Sequence, residues 1–200
     1  MSKPSGLDQG QALPLFIWIT GAVLFASFAF FALAQAAVAR GGAQSAADAA
    51  ALAAAQEERT ELIEGLSNAI VEEEDDWLDW LDAGGAMGAG APEAAARLAD
   101  ANDSHVIEFG KVSVDGNPGS RVEVRTRYPV GESMIPGTEN QRARAEATAI
   151  VVPMCKASAE YGETIEFSCE GSGDFSFDAD SFSEGDLPDA SVLFMVHLVG

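Results

Sequence analysis

The feature that most constrains this chain is a long uncharged stretch near its N-terminus. No Asp, Glu, Lys or Arg occurs between Asp8 and Arg40, and residues 12–39 consist mainly of Phe, Leu, Ile and Ala. A helix rising about 1.5 Å per residue needs roughly 20 apolar residues to cross the hydrocarbon core of a bilayer. The stretch therefore predicts a transmembrane helix over residues 12–39 in contact with membrane lipid, preceded by a short cytoplasmic N-terminus over residues 1–11.

A cleaved secretory signal is the main alternative for this stretch. Lys3 precedes the apolar run, and the small residues Ala36, Ala37 and Ala39 resemble a cleavage site. The apolar core of a signal peptide spans only about 7–15 residues, which favours an uncleaved anchor. Because Lys3 and the terminal amine precede the helix, and the acidic body carries both cysteines, we expect the body to lie outside the cell.

Beyond the membrane, residues 40–83 are predicted to form an Ala-rich and then acidic helix, with a flexible point at Gly41-Gly42. Small side chains permit close approach, so we expect this helix to pack against another helix. The residues predicted to do so are Gly41, Gly42, Ala46, Ala49, Ala50 and Ala53. An apolar stripe at helical spacing is expected instead to cover the domain's own sheet; it comprises Leu62, Leu66, Ile70, Trp77 and Leu81.

The rest of the chain predicts a Gly/Ala linker over residues 84–91 and an α+β domain over residues 92–200. A short helix from Pro92 to Ala101 is followed by alternating apolar and polar residues, first in a hairpin over 105–116 and 120–130. Further strands are expected within 142–155, 164–170 and 191–200. The predicted fold class is α+β, with a long transmembrane helix that extends into a small soluble domain containing a mainly antiparallel sheet.

Cys155 and Cys169 are the two cysteines of the chain. Their spacing lacks a CxxC motif and nearby histidine ligands, so a metal site is not indicated. Reduced thiols and a disulfide are both compatible with the spacing. Export of the domain favours the Cys155–Cys169 disulfide, which is worth roughly 3 kcal/mol for a loop of this length.

Charge and motif content exclude several classes of function. A formal net charge of −21 argues against a nucleic-acid partner and against lying flat on anionic lipid. His105 and His197 are the two histidines; neither lies in a catalytic motif, and both are expected to be strand residues. We therefore expect no enzymatic activity, no cofactor and no small-molecule substrate.

The segment over residues 174–186 partly resembles a calcium-binding loop. Asp174, Ser176, Asp178 and Asp180 alternate with two phenylalanines, but Ala179 stands where such a loop has Gly and Glu184 falls one place early. A solvated excursion anchored by aromatic side chains is the favoured interpretation, and calcium binding stays open.

The N-terminal sequence resembles a bacterial family. GQALPLF leading into one apolar span, followed by ARGGAQSAADAAALAAAQ, is similar to the TadE/TadG-like proteins of tight-adherence (Flp-type) pilus systems; the resemblance covers about Asp8 to Gln56. It implies a pilin-like layout and a role as a structural or assembly component, minor pilin-like, whose partners are other pilin or pilus-assembly subunits bound through the N-terminal helix. It also implies a single-pass protein of the cell membrane, with incorporation into a surface pilus as one outcome. The alternative is a membrane-anchored extracellular binding domain whose helix is only a tether.

Proteolytic processing is a further expectation from this resemblance. Prepilins with a similar start are cut after a Gly that has a Glu five places later, which points to a site between Gly10 and Gln11. Leu15 stands where that Glu is expected. A filament subunit and a membrane-retained assembly factor both remain open.

Overall fold

A single helix, α1 (Ala12–Val71), runs through both the apolar and the Ala-rich stretches. The structure is a computed structural model that describes residues 12–72, 76–85, 88–130, 140–157 and 164–200; the predicted processing site at Gly10 and Gln11 lies outside them. At 1.5 Å per residue, 60 residues extend over about 90 Å. The backbone stays helical through Gly41 and Gly42, so the predicted flexible point is an ordinary part of the helix.

The predicted helix over residues 40–83 is divided in two. α1 ends at Val71, and a separate short helix, α2 (Trp77–Leu81), follows. Trp77 and Leu81 are 5% and 1% exposed, so the chain has turned back to bury both side chains in the core. Glu72 and Asp76 would lie four positions apart on a continuous helix, and like charges at that spacing destabilise it. Residues 91–101 form α3 (Ala91–Ala101), with Pro92 in its first turn as predicted.

Four antiparallel strands form the first sheet, in the order β1-β2-β3-β7. They are β1 (Ser104–Val114), β2 (Asn117–Pro129), β3 (Arg142–Pro153) and β7 (Phe194–Val199). The β1–β2 turn places Asp115 and Gly116 at φ 52° and 86°, the left-handed backbone that a tight hairpin requires. The predicted hairpin and the α+β fold class are confirmed.

Three shorter antiparallel strands form a second sheet, in the order β4-β5-β6. They are β4 (Cys155–Ala157), β5 (Thr164–Cys169) and β6 (Gly173–Asp178). β6 lies in the segment that the sequence predicted as a solvated excursion. Two 3₁₀ turns (Ala179–Ser181 and Glu184–Asp186) and the short helix α4 (Ala190–Leu193) lead from β6 to β7.

The core lies between α1 and the first sheet, and α3 packs on α1 as well. Leu62, Leu66 and Ile70 of the predicted apolar stripe are at most 1% exposed. They belong to the same core cluster as inward-facing residues of the sheet, such as Val122 and Val151. The stripe therefore covers the domain's own core, as its spacing predicted.

Candidate membrane span and packing surfaces of the long helix

The first half of α1 has its apolar side chains exposed. Large hydrophobic residues are exposed from Leu13 to Val38, and Ala39 is the first buried residue of the described chain. Among the described residues, α1 is the helix long and apolar enough to cross a membrane, and the apolar part is not covered by the rest of the chain. Soluble monomers rarely expose apolar patches larger than a few hundred Å², so this surface has the character of one that contacts lipid or other helices.

Small side chains interrupt the aromatic residues along this exposed half. A Cβ added at Gly21 would meet nothing within 4 Å, and Ala22, Ala26 and Ala29 are exposed. The Ser27 hydroxyl donates to the Val23 carbonyl oxygen at 2.8 Å, so its hydrogen-bonding capacity is met within the helix. The surface thus has shallow places where another helix backbone fits closely.

The structure divides the six residues predicted to pack against another helix. Ala46 and Ala50 are fully buried in the core that α1 forms with the sheet and α3, whereas Ala49 and Ala53 are half-buried. Ala46 and Ala50 therefore serve the domain's own fold and are not available to another chain.

The two glycines of the predicted set have different surroundings. A Cβ at Gly42 would collide with the Tyr128 hydroxyl at the end of β2, whereas a Cβ at Gly41 would meet nothing within 4 Å. Gly42 thus permits close contact between α1 and the domain, at the level where Ala39 and Ala43 cluster with Ala143. The domain begins to pack on α1 directly after the apolar half ends.

The predicted disulfide joins Cys155 and Cys169 in the second sheet. The two residues are directly opposite each other on β4 and β5, and both are buried. The bridge links β4 covalently to β5. This matters because a strand of three residues forms few hydrogen bonds to its neighbour.

Phenylalanine side chains hold the remainder of the second sheet. The ring of Phe167 on β5 lies 5.6 Å from that of Phe175 and 5.7 Å from that of Phe177, and Phe182 adds an edge contact to Phe177 at 5.8 Å. These are ordinary separations for favourable aromatic pairs. The aromatic anchoring predicted for this segment is therefore present, although in a strand.

The acidic side chains of this segment make local hydrogen bonds. Asp178 accepts a hydrogen bond from the Asp180 backbone N–H, and Asp186 accepts bonds from the Ser183 hydroxyl and backbone N–H, both at 2.8 Å. The Ser183 hydroxyl and then its N–H lower the pKa of Asp186. Within the described ranges no group of three His, Cys, Asp or Glu side chains is arranged to hold a metal ion.

Both histidines lie in strands of the first sheet, as predicted. His105 on β1 lies opposite Arg125, whose guanidinium donates to its Nε2. Burial, followed by the charges of Arg125, Arg142 and Arg127, lowers the pKa of His105. His197 on β7 lies opposite Ile150. The two side chains thus lie in separate strands at opposite edges of the sheet.

Comparison with known proteins supports the N-terminal resemblance. No curated protein and no solved structure matches the chain. A protein-family model does match part of the chain: the apolar half of α1, the preceding GQ pair and the alanine-rich turns to Glu57. They form about a quarter of the chain and end before the sheet domain begins. Residues 10–57 match the family model described as putative Flp pilus-assembly TadE/G-like, which confirms the family resemblance of this N-terminal segment.

Proposed function

We propose that this protein is a minor pilin-like structural or assembly component of a Tad/Flp-type pilus. In this proposal residues 13–38 cross the cell membrane, the N-terminus is cytoplasmic, and the acidic domain is exported. Other pilin or pilus-assembly subunits bind the exposed half of α1. The observation that carries the proposal is the exposed apolar half of a helix that continues unbroken into the domain core, in the segment that matches a pilus-assembly family.

A continuous helix suits this role for a mechanical reason. A filament subunit or assembly factor must hold its exported domain at a fixed distance and orientation from neighbouring helices. α1 provides this because Ala43, Ala46 and Ala50 anchor the same helix in the domain. A tether, by contrast, needs only length and solubility in lipid, and gains nothing from the rigid connection.

The disulfide supports the proposed orientation. Structural disulfides persist in oxidising compartments and are rare in the cytosol. Cys155 and Cys169 form such a bridge in a domain at the C-terminal side of the span. We infer no catalytic residue, cofactor or small-molecule substrate for this role.

Substitution within the exposed half of α1 tests the proposal against the tether. Ala22, Ala26 and Ala29 share one helix face and make no contact with the domain. Replacing all three by Leu keeps the span apolar but fills the shallow face. We expect normal amounts in the membrane fraction and at least about a tenfold loss of surface filaments counted by electron microscopy, because overpacking a close helix contact costs about 1–3 kcal/mol.

The matched control is Ile17→Leu combined with Ile19→Leu and Val23→Leu, which changes the same number of residues with little change in size. Wild-type filament numbers are expected for it. Wild-type numbers with the Ala22, Ala26 and Ala29 replacements would contradict close packing and favour a tethered extracellular binding domain.

Sequencing the N-terminus of the mature protein separates the two forms of the proposal. A chain that starts at Gln11 has been processed after Gly10 and is expected in sheared filaments. A chain that starts at Met1 or Ser2 has not been processed there, and retention in membranes would then identify an assembly factor.

A further inference from the structure

Arginine side chains gather at the end of the first sheet nearest to the apolar half of α1. A cleft of about 470 Å³ is lined there by Arg125, Asn140, Gln141, Arg142 and Arg144, and is called the arginine cleft below. Val124, Ala143 and Ala145 alternate with these arginines and face α1. Because side chains alternate along a strand, the arginine cleft opens on the opposite face of the sheet.

The arginine cleft lies close to the membrane end of the domain. Ala143, between Arg142 and Arg144, packs with Ala39 and Ala43, and Val38 is the last exposed apolar residue of the span. At 1.5 Å per residue, Ala43 lies only about 8 Å along the helix from Val38. The cleft is therefore at the height where lipid headgroups surround α1 if its apolar half spans the bilayer.

Positive charge in the cleft is only partly balanced. Arg125 lies directly opposite Arg144 in the β2–β3 pairing, an arrangement that is destabilising for like charges. Glu123 lies 3.8 Å from Arg144. Among the described residues, no carboxylate lies within salt-bridge distance of Arg125 or Arg142. An anion between these guanidinium groups would relieve their repulsion.

We propose that the arginine cleft binds the phosphate group of anionic membrane lipids at the surface where α1 leaves the bilayer. Guanidinium groups form paired hydrogen bonds to phosphate oxygens, and the side-chain amides of Asn140 and Gln141 add neutral donors. Lipid phosphates are the anions present at this height. This inference rests on the proposed membrane span, and it goes beyond the proposed function by assigning the domain its own lipid contact.

The net charge of −21 does not oppose such a contact at short range. Glu72, the first residue of the acidic run in the sequence, lies about 50 Å along α1 from Ala39. At physiological ionic strength the Debye length is about 8 Å, so those carboxylates are screened from the membrane surface. The local charge of the arginine cleft decides the interaction, and a contact confined to this cleft differs from lying flat on anionic lipid, against which the net charge argues.

Lipid retention by the full chain tests the inference. The protein is reconstituted into vesicles of phosphatidylcholine with one-fifth phosphatidylglycerol, extracted in mild detergent, and analysed for the lipids that stay bound. We expect the ratio of phosphatidylglycerol to phosphatidylcholine among the retained lipids to be about fivefold higher than in the vesicles, the factor expected from one basic residue at an anionic surface. Replacement of Arg125, Arg142 and Arg144 by Gln should remove the enrichment.

The matched control replaces Arg97, Arg121 and Lys156 by Gln, which removes three exposed positive charges away from the cleft. It should retain the wild-type enrichment, and melting curves of both variants establish that they are folded. Equal enrichment in both triple variants, or none in the wild type, would overturn the inference.

Two further measurements distinguish lipid from other anions as the ligand of the arginine cleft. If about 10 mM inorganic phosphate, competing by mass action, displaces the bound lipid completely, the site is a phosphate site and the lipid assignment fails. If the wild type shows no lipid preference but the cleft arginines cross-link to a second copy, its partner is an acidic segment and the inference fails. Co-flotation with pure phosphatidylcholine vesicles reports the membrane span separately, so its failure would count against the proposed function.

Discussion

Glu58 is an acidic side chain on the buried face of α1, where its neighbours along the helix are mainly alanine and leucine. It is 3% exposed, and its Oε1 accepts a hydrogen bond from the Ser120 hydroxyl at 2.8 Å. Its Oε2 has no hydrogen-bond partner within the described ranges. Burial raises the pKa of Glu58; the Ser120 hydroxyl and Lys111 oppose this rise, and Glu61 adds to it. The buried carboxylate therefore destabilises the folded state at neutral pH, where it is driven towards its charged form.

The raised pKa predicts how stability depends on pH. A carboxyl group with a higher pKa in the folded state contributes stability that is fully present below its unfolded pKa and is lost as pH rises through the folded pKa. We expect the Glu58 contribution to be complete below about pH 4.5, the ordinary value for Glu. Urea unfolding in detergent from pH 4 to 8 should show this decline, and Glu58→Gln should remove that part of it and raise stability at pH 7.

Glu166→Gln provides the control, because Glu166 is exposed on β5. It should preserve the pH dependence of the wild type. An unchanged pH dependence in Glu58→Gln would contradict the assignment of this component to Glu58.

At the scale of elements, the contact between α1 and α2 depends on missing side chains. The Trp80 ring on α2 lies against Gly65 of α1 and against Gly85, and a Cβ at Gly65 would fall well inside contact distance of the ring atoms. The two glycines thus form the two sides of a slot for the indole. This explains how α2 returns to the helix from which the chain has just departed.

Two glycines of the same helix are expected to respond oppositely to alanine. Gly41→Ala should stabilise the protein by about 0.5–1 kcal/mol, because its Cβ meets nothing and alanine favours the helix. Gly65→Ala gains the same helix propensity but forces the Trp80 ring out, so we expect a net loss of about 1–2 kcal/mol. Urea unfolding of the two variants measures both changes.

A second substitution tests the stated cause. Trp80→Leu in the Gly65→Ala background shortens the side chain that the new methyl group meets. It should reduce the effect of the alanine relative to that in the wild-type background. If the two backgrounds respond equally, the collision with Trp80 is not the reason for the loss.

The elements best predicted from sequence are those in which the spacing of apolar residues shows directly which side chains are buried. Alternation in β2 places Val122 and Val124 on the core face. This pattern identified the strand without knowledge of the strands that pair with it. β6 was missed because its exposed Asp174, Ser176 and Asp178 have the composition of a loop. Its strand conformation comes from pairing with β5, which is information from elsewhere in the chain.

The sequence predicts which face of a helix is in close contact better than it predicts what that face contacts. The alanine spacing correctly indicates that Ala46 and Ala50 are in close contact, but the same spacing arises whether the partner is a neighbouring subunit or the domain's own sheet. The arginine cleft was hidden for a similar reason. Arg125 and Arg144 are 19 positions apart in sequence, and only the register of β2 and β3 brings them opposite each other.

At the scale of the whole molecule, burial begins abruptly along α1. Before Ala39 the described residues contribute no buried side chain to the domain, and from Ala43 onwards they form its core. The exposed apolar length proposed to span the membrane and the length that folds with the domain are therefore separate parts of one helix. Conditions that disturb the bilayer need not unfold the domain.

This separation predicts the behaviour of a shortened chain. A protein that begins at Ala37 loses the exposed apolar half and retains the buried residues, so we expect a monomer that needs no detergent. Light scattering after size-exclusion chromatography measures its mass, and circular dichroism measures its retained structure. A fragment that aggregates or melts far below the full chain would show that the domain depends on the removed half.

The absence of a break in α1 also has a mechanical consequence. Transmembrane helices tilt on average by about 20°, and a rigid rod extending about 50 Å beyond the membrane would carry its far end sideways by about 17 Å at that angle. The domain packs on the helix at Gly42 and along the buried alanines. If the apolar half spans the membrane as proposed, reorientation of the helix in the bilayer would therefore move the far end of the domain as well. In the proposed pilus component, a push or twist applied by neighbouring helices within the membrane would thereby displace the surface of the exported domain.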